Sequence, residues 1–295
     1  MILDKRIPLR YWVSLVALDV TIVSAFSLGI YFVSKHIIQL VIPINLGAFL
    51  GTAIALLLSF KLSQSYDRWW EARKIWGAIV NDSRTLVLQL KGFLSTSGHA
   101  TLSAMAYRQM AWCYALGKHL RKENPLEGLD TFLSEEEVHR LKKHQNVPLA
   151  LLDHQGQDLQ QLHQAGAIND FHQIQLDSTL LRLCESMGKA ERIKGTYFPK
   201  TYRQTLKLFI YIFLVMLSMS LTGLRGFIEV PLLVMISIPF FLLERIAFNM
   251  QDPFNSQPND TAMTSIARNI EINIKQLLAE EEFPEPLSPE RFYMM

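Results

Sequence analysis

A run of 24 residues, 37–60, contains no Asp, Glu, Lys or Arg, and this run limits what the chain can fold into. A helix needs about 20 mainly apolar residues to cross the hydrocarbon core of a bilayer. Three other stretches are almost as apolar, which predicts four spans at residues 11–33, 42–60, 206–222 and 227–243. The alternative for the last two, buried helices of a soluble core, is disfavoured because two adjacent apolar stretches of this length are uncommon in soluble domains.

The first apolar stretch has some features of a signal peptide, because basic residues precede it. However, the apolar part, residues 13–33, is longer than the usual core of a signal peptide, and no A-x-A cleavage site follows it. We therefore expect a membrane helix that remains in the mature protein.

Positive charge collects at one end of the predicted spans, and cytoplasmic loops carry an excess of Lys and Arg. Such residues precede span one, follow span two and precede span three: Lys5, Arg6, Arg10, Lys61, Arg68, Arg73, Lys74, Lys189, Arg192, Lys194, Lys200, Arg203 and Lys207. The loop between spans one and two offers only Lys35 and His36, and the "GLRG" loop between spans three and four only Arg225. We expect both termini and the region between spans two and three to lie in the cytoplasm.

The region between spans two and three has the pattern of helices. Apolar residues recur at helical spacing in segments 69–90 and 171–193. Ser134 precedes an acidic first turn and is placed to cap a helix. We predict an all-α chain divided into spans one and two (1–62), a helical cytoplasmic domain (63–200), spans three and four (201–250) and a cytoplasmic C-terminal segment (251–295). Cys113 and Cys184 are expected to be free, buried thiols.

The sequence gives no reason to expect catalysis. It lacks G-x-x-x-x-G-K-[ST], G-x-G-x-x-G and H-E-x-x-H. His139 and His144 are five residues apart, which does not place them on one helix face, so we expect no metal site there. The net charge of +2, without a basic tail, does not indicate nucleic-acid binding. We expect no enzymatic activity, cofactor, metal or nucleic-acid partner.

Three segments resemble the bestrophin family in its bacterial branch. The first, "SFKLSQSYDRWWEARKIWG" at 59–77, resembles the end of the family's second span and the motif that follows it. The second, "ERIKGTYFPKTY" at 191–202, is similar to the segment before the family's third span. The third, "DPFNSQPNDTAMTSIARNIEINI" at 252–274, resembles the segment after the fourth span. The segments occur in the right order against the four predicted spans.

The resemblance implies a homopentameric channel for monovalent ions in the bacterial inner membrane, in a family usually labelled chloride or anion channels. The second span of each subunit would line the pore. The family's hydrophobic neck corresponds to Thr52, Leu56 and Phe60, which at spacings of four share one helix face. The family's second constriction, at the cytoplasmic exit, corresponds to Phe171, where Asn169 or Asp170 can cap the helix start.

Three departures from the family pattern qualify this picture. Thr52 is polar where relatives have an apolar neck residue, which predicts a shorter neck. Tyr197 replaces a family proline. Animal relatives hold Ca²⁺ with a run of acidic residues after the D-P-F-like motif, but the corresponding stretch here has Asp260 alone. Because Ca²⁺ needs six to eight oxygen ligands, we do not expect gating by this clasp.

The residues also leave alternatives open. Leu56 and Phe60 are expected at the pore, the other interpretation being that they pack between helices. Phe171, judged without the family, would be a core residue packed on Leu176 or Leu180. Asp19, the one acid well inside a span, has either a functional role or a structural one, as a polar contact with a neighbouring helix or a shallow position near the interface. A carrier, a non-conducting membrane regulator and a channel selective for monovalent cations are the alternative functions.

Overall fold

The computed structural model describes residues 1, 7–37, 42–94, 98–196, 199–221, 228–289 and 292–294. Within these ranges the chain is built from helices: α1 (Leu9–His36), α2 (Ile44–Phe93), α3 (His99–Arg121), α4 (Glu135–Leu141), α5 (Val147–Gln164), α6 (Asp170–Gly195), α7 (Lys200–Leu221), α8 (Glu229–Gln251) and α9 (Met263–Leu277). A short 3-10 helix, Leu129–Thr131, lies between α3 and α4. The predicted all-α fold is confirmed for these residues.

Four of these helices, α1, α2, α7 and α8, are long and apolar enough to cross a membrane. They correspond to the four predicted spans. The second span is the beginning of a single helix of 50 residues, which continues to Phe93. Pro239 lies inside α8 without ending it, and Pro231 lies in its first turn, where a missing amide proton is tolerated. Several residues used in the predictions lie outside the described residues: Lys5, Arg6, Tyr197, Thr222, Arg225, Phe227 and the "GLRG" turn.

Contacts between residues divide the chain into two compact units. We call Lys5–Trp69 with Tyr197–Gln251 the transmembrane unit, because it contains the apolar parts of the four candidate spans. We call Met1–Asp4, Trp70–Thr196 and Asp252–Met295 the globular unit. The division within α2 falls between Trp69 and Trp70, after the charge-free run that ends at Phe60.

In the transmembrane unit, α1, α7 and α8 pack against one another, and α2 approaches α7 at two glycines. A Cβ atom at Gly51 would lie 3.1 Å from the ring of Phe213, and one at Gly47 would lie 3.6 Å from Leu217. Small residues four apart allow helix backbones to approach closely in membranes. The glycines therefore define the face of α2 that packs inside this unit.

The globular unit has a closed apolar core, in which α3 packs against α5, α6 and α9. Trp76 and Trp112 are fully buried there. Ser134 caps α4 by accepting a hydrogen bond from the Glu137 amide, as its sequence position predicts. Cys113 and Cys184 are both free, as predicted, but Cys113 is buried whereas Cys184 is only half-buried. Burial raises the pKa of the Cys113 thiol to about 12, so this thiol is unreactive at neutral pH.

A buried ionic cluster crosses this core. Arg108 Nε donates to Glu137 Oε1 at 2.5 Å, and Arg108 Nη1 donates to Asp158 Oδ2 at 2.5 Å. Glu137 Oε1 also lies 3.1 Å from His154 Nδ1. Burial alone would raise the pKa of Glu137, but the hydrogen bonds and charge of Arg108 hold it below its usual value. The cluster thus favours the ionised form of Glu137 although its side chain is buried.

Candidate functional site

The predicted neck residues form an exposed stripe on α2. Leu56 is 58% exposed and Phe60 is 59% exposed, and Thr52 is also exposed. All three lie away from the Gly47 and Gly51 face that packs against α7. The stripe is therefore free within one chain to face a pore, lipid or a second copy of the chain.

The hydroxyl of Thr52 is occupied by a hydrogen bond within its own helix. Its hydroxyl donates to the Ala48 carbonyl at 2.9 Å, a bond within α2 itself. This bond occupies the hydroxyl proton, so Thr52 has no donor left to offer along the stripe.

Phe49 extends the stripe and was missed by sequence reasoning. It is 70% exposed and lies three residues before Thr52, which is the spacing of one helix face. The resemblance to the family indicates only Thr52, Leu56 and Phe60 as neck residues. The sequence signal that finds Phe49 is the continued spacing of three or four residues toward the start of α2.

Lys61, directly after Phe60, is the second residue that sequence reasoning missed, since we counted it only as a charge near the end of span two. Its side chain is fully buried, and its Nζ lies 3.2 Å from Glu244 Oε1 on α8. The same oxygen accepts from Arg203 Nε on α7 at 2.9 Å. A buried charge needs a partner of opposite sign, and Glu244, directly after the predicted fourth span (227–243), was the available signal.

Phe171 lies in the globular unit, at the first turn of α6, and its side chain is 82% exposed. It is thus not a core residue of this chain, whereas Leu176 and Leu180 are buried. Asn169 caps the helix by accepting from the His172 amide at 2.8 Å, which confirms one of the two predicted caps. Ile174, one turn further along α6, is 66% exposed and adds a second apolar side chain to the same surface.

The start of α6 is fixed by further contacts. The ring of His172 stacks on that of Phe93, with centroids 4.1 Å apart. His163 Nε2 lies 2.7 Å from Asp170 Oδ1. Together with the Asn169 cap, these contacts hold the backbone that carries Phe171, so its exposed ring is mounted on an ordered helix end.

Asp19 makes polar contacts with a neighbouring helix, which is one of the two roles considered for it. Its Oδ1 lies 3.1 Å from Lys207 Nζ and accepts from the Tyr211 hydroxyl at 2.7 Å. Both partners belong to α7, so this group connects α1 with α7.

Asp260 stabilises the loop that precedes α9. Its Oδ2 accepts hydrogen bonds from the backbone amides of Asn255 and, at 3.1 Å, Gln257. Burial raises the pKa of this carboxyl to about 6, although the two amide bonds act in the opposite direction. Within the described ranges, no three His, Cys, Asp or Glu side chains are grouped to hold a metal ion. The geometry of Asp260 is that of a loop-closing residue.

The neck stripe and the Phe171 surface belong to different units. What they share is chemistry: large apolar side chains exposed on a well-formed helix, with fixed backbone behind them. Such surfaces in a monomer mark contacts with other molecules.

Comparison with known proteins agrees with the family resemblance of the three sequence segments and extends it over almost the full chain. Residues 12–276 match the family model described as Bacterial/Fungal Bestrophin protein. The chain is 30% identical over 272 residues to the voltage-dependent anion channel-forming protein YneE of Escherichia coli K12, covering 92% of this chain and 89% of that one. It is 27% identical over 278 residues to the voltage-dependent anion channel-forming protein RSc3414 of Ralstonia nicotianae, covering 91% and 90%.

A solved structure agrees. The crystal structure of a bacterial bestrophin homolog from Klebsiella pneumoniae superposes with a TM-score of 0.83 at 27% identity, covering 92% of this chain and 99% of that chain. The resemblance drawn from three short segments is confirmed by these matches. This chain belongs to the bacterial and fungal bestrophin family.

Proposed function

We propose that this protein is a homopentameric channel that conducts monovalent anions across the bacterial inner membrane. The observation that carries the proposal is the apolar stripe of α2. Leu56 and Phe60 are more than half exposed, although they belong to a helix whose opposite face packs closely on α7. Five copies of this stripe around an axis would form a narrow apolar neck.

An apolar neck controls conduction by expelling water. An ion cannot cross a narrow apolar constriction without its hydration shell, and a small widening restores the water and the current. In this proposal Phe49, Leu56 and Phe60 contribute the apolar rings and Thr52 lies between them. Phe171 and Ile174 form a second constriction at the cytoplasmic exit.

The printed names of the curated relatives support anions as the permeant ions. Apolar rings reject both signs by desolvation, so the sign of the permeant ion depends on charges near the pore. The family and these names point to a channel rather than an enzyme, and they disfavour the carrier and the regulator as alternatives.

The proposed topology follows the charge pattern. Both termini, residues 63–200 and residues 251–295 lie in the cytoplasm, while 1–62 and 201–250 carry the spans. Arg10, at the start of α1, and Arg203, at the start of α7, agree with this orientation because cytoplasmic flanks are richer in Lys and Arg. Asp260 closes a loop through backbone amides, so gating is proposed to be independent of a calcium clasp.

Recording from the purified protein in a planar bilayer tests the function. Discrete unitary currents are expected from a channel, whereas a carrier or a regulator gives none. In a KCl gradient the reversal potential should shift toward the chloride equilibrium potential. A shift toward the potassium equilibrium potential would show that the channel selects cations and would contradict the proposed anion selectivity. Native mass spectrometry of the same sample should give the mass of five chains, and any other stoichiometry would contradict the pentamer.

A further inference from the structure

Two properties of Lys61 are not explained by the packing of apolar side chains. Its ammonium is fully buried, and it follows directly after Phe60 of the proposed neck. An ammonium removed from water is strongly unfavourable unless an opposite charge is in contact. Glu244 Oε1 provides that charge at 3.2 Å, and the Glu244 side chain is itself only 1% exposed.

Glu244 also connects this pair with a third helix. Its Oε1 accepts from Arg203 Nε at 2.9 Å, and the Arg203 guanidinium lies 3.4 Å from the ring centroid of Phe248. One buried carboxylate on α8 is therefore shared by a lysine of α2 and an arginine of α7. We call Lys61, Arg203 and Glu244 the charge clamp.

The charge clamp restricts how α2 is rotated about its axis. Successive residues of a helix are turned by about 100°, so Lys61 and the buried Leu58 lie on the packed side while Leu56 and Phe60 lie on the exposed side. Contacts of Leu58 are non-directional and tolerate a small rotation. The ion pair of Lys61 with Glu244 does not tolerate such a rotation, because a rotated α2 would carry the ammonium away from the carboxylate. Buried charged or polar pairs are well suited to fix the register of helices.

We propose that the charge clamp is a positioning site for permeation: it fixes the rotation of α2 and thereby the direction in which Leu56 and Phe60 point. None of its three members needs to touch the permeating ion. The inference rests on the proposed channel function, since it assigns to buried residues an effect on current. It adds residues of α7 and α8 to a neck otherwise formed by α2 alone.

The test compares unitary currents of Lys61→Met and Glu244→Gln with those of the wild type. We expect each variant to change unitary conductance by about twofold or more, or to produce new subconductance levels, because the neck loses its fixed direction. Lys61→Arg keeps the charge and should remain closer to the wild type. Asp19→Asn is the matched control: it removes the negative charge opposite Lys207 in a contact between α1 and α7 that does not include α2. It should lower the melting temperature and leave the unitary current unchanged.

A second measurement reports on the direction of α2 without using current amplitude. Phe60→Cys in a Cys184→Ser background is treated with a charged, membrane-impermeant methanethiosulfonate. Adding Lys61→Met should slow modification about fivefold or more if the side chain at position 60 turns away from water. Glu244→Asp, which shortens the carboxylate by one methylene and keeps its charge, replaces Lys61→Met if that variant does not assemble.

The outcomes separate the two proposals. Wild-type unitary current and wild-type modification rate in a folded, pentameric Lys61→Met protein would overturn the charge clamp and leave the channel function standing. A wild-type protein without unitary currents would overturn the channel function, and the positioning role with it. A changed current in Asp19→Asn equal to that in Lys61→Met would also contradict the clamp, because any lost ion pair would then have the same effect.

Discussion

Helices α1 and α3 show how differently the two units use apolar residues. In α3, of the globular unit, thirteen of 23 residues are buried, but in α1, of the transmembrane unit, only three of 28 are. Yet α1 is the helix with the apolar composition of a span. Removal from water explains the burial in α3. In α1, Leu18 is 74% exposed in one chain, so its apolar environment must come from outside that chain.

This difference changes how exposure is interpreted. In the globular unit, an exposed large apolar residue such as Phe171 is the exception that requires an explanation. In the transmembrane unit exposure is the rule, and the informative residues are the buried ones. Leu58, 1% exposed, and Lys61, fully buried, define the inner face of α2.

The two units also differ in how their buried charges are paired. Arg108 of the globular unit has three acceptors, on Glu137, Asp158 and Gln155. Lys61 of the transmembrane unit shares one carboxylate with Arg203. The first cluster is well satisfied, whereas the second has more positive than negative charge. Because satisfied networks resist perturbation better, the transmembrane unit should be the more sensitive to loss of a single carboxylate.

The largest effect is expected from two phenylalanines of the globular unit. Phe254 is fully buried and Phe171 is 82% exposed. Phe254→Ala should lower the free energy of unfolding by about 3–5 kcal/mol, because it leaves a cavity in the core. Phe171→Ala should lower it far less and should instead change unitary current or ion preference, as measured in bilayers. Equal loss of thermal stability in both variants, with unchanged permeation in Phe171→Ala, would refute the exit constriction.

Two leucines on opposite faces of α2 give the corresponding test in the transmembrane unit. Leu58→Ala removes a buried side chain and should destabilise the protein by about 2–4 kcal/mol. Leu56→Ala, two residues away and 58% exposed, should cost less stability and increase unitary current, most clearly when combined with Phe60→Ala. Melting curves and single-channel records of the same preparations separate these effects. Wild-type currents from a well-folded Leu56→Ala/Phe60→Ala protein would count against a neck at these positions.

The fold could be predicted from sequence because the strongest signals are local. Charge-free runs of about 20 residues define spans, and helical periodicity defines the globular helices. The Asn169 cap was predicted for the same reason, since the capping oxygen accepts a hydrogen bond from an amide only three residues away. The continuity of α2 was not predicted: the second span was predicted to end at Phe60 and a separate cytoplasmic domain to begin at residue 63, but a helix backbone does not depend on which solvent surrounds it.

The charge clamp could not be predicted, for a physical reason. Lys61 and Glu244 are far apart in the chain, and each on its own looks like an ordinary charged residue at a membrane boundary. Their pairing is decided by the packing of α2 against α8, which no local pattern encodes. The role of Asp19 was left open on the same ground, until its contacts with Lys207 and Tyr211 were visible.

The smallest predicted effect is a dependence of the stability of the globular unit on pH. The carboxyl of Asp260, in the globular unit, has its pKa raised by burial to about 6. Its pKa in the unfolded chain is lower, so between about pH 4 and 6 the folded state binds more protons and loses stability as pH rises. Above pH 6 the ionised carboxylate lowers the free energy of unfolding by about 1–3 kcal/mol relative to a neutral group.

Asp260→Asn tests this sign. An amide oxygen can still accept from the Asn255 and Gln257 backbone amides, but it carries no charge into the buried site. The variant should therefore melt at a higher temperature than the wild type at pH 7.5, and the difference should disappear near pH 4. Asp177→Asn, which removes an exposed carboxylate from α6, controls for the change in net charge. A lower melting temperature for Asp260→Asn at pH 7.5 would mean that the carboxylate's charge stabilises the loop before α9. Its partners would then outweigh burial, as the hydrogen bonds and charge of Arg108 do for Glu137.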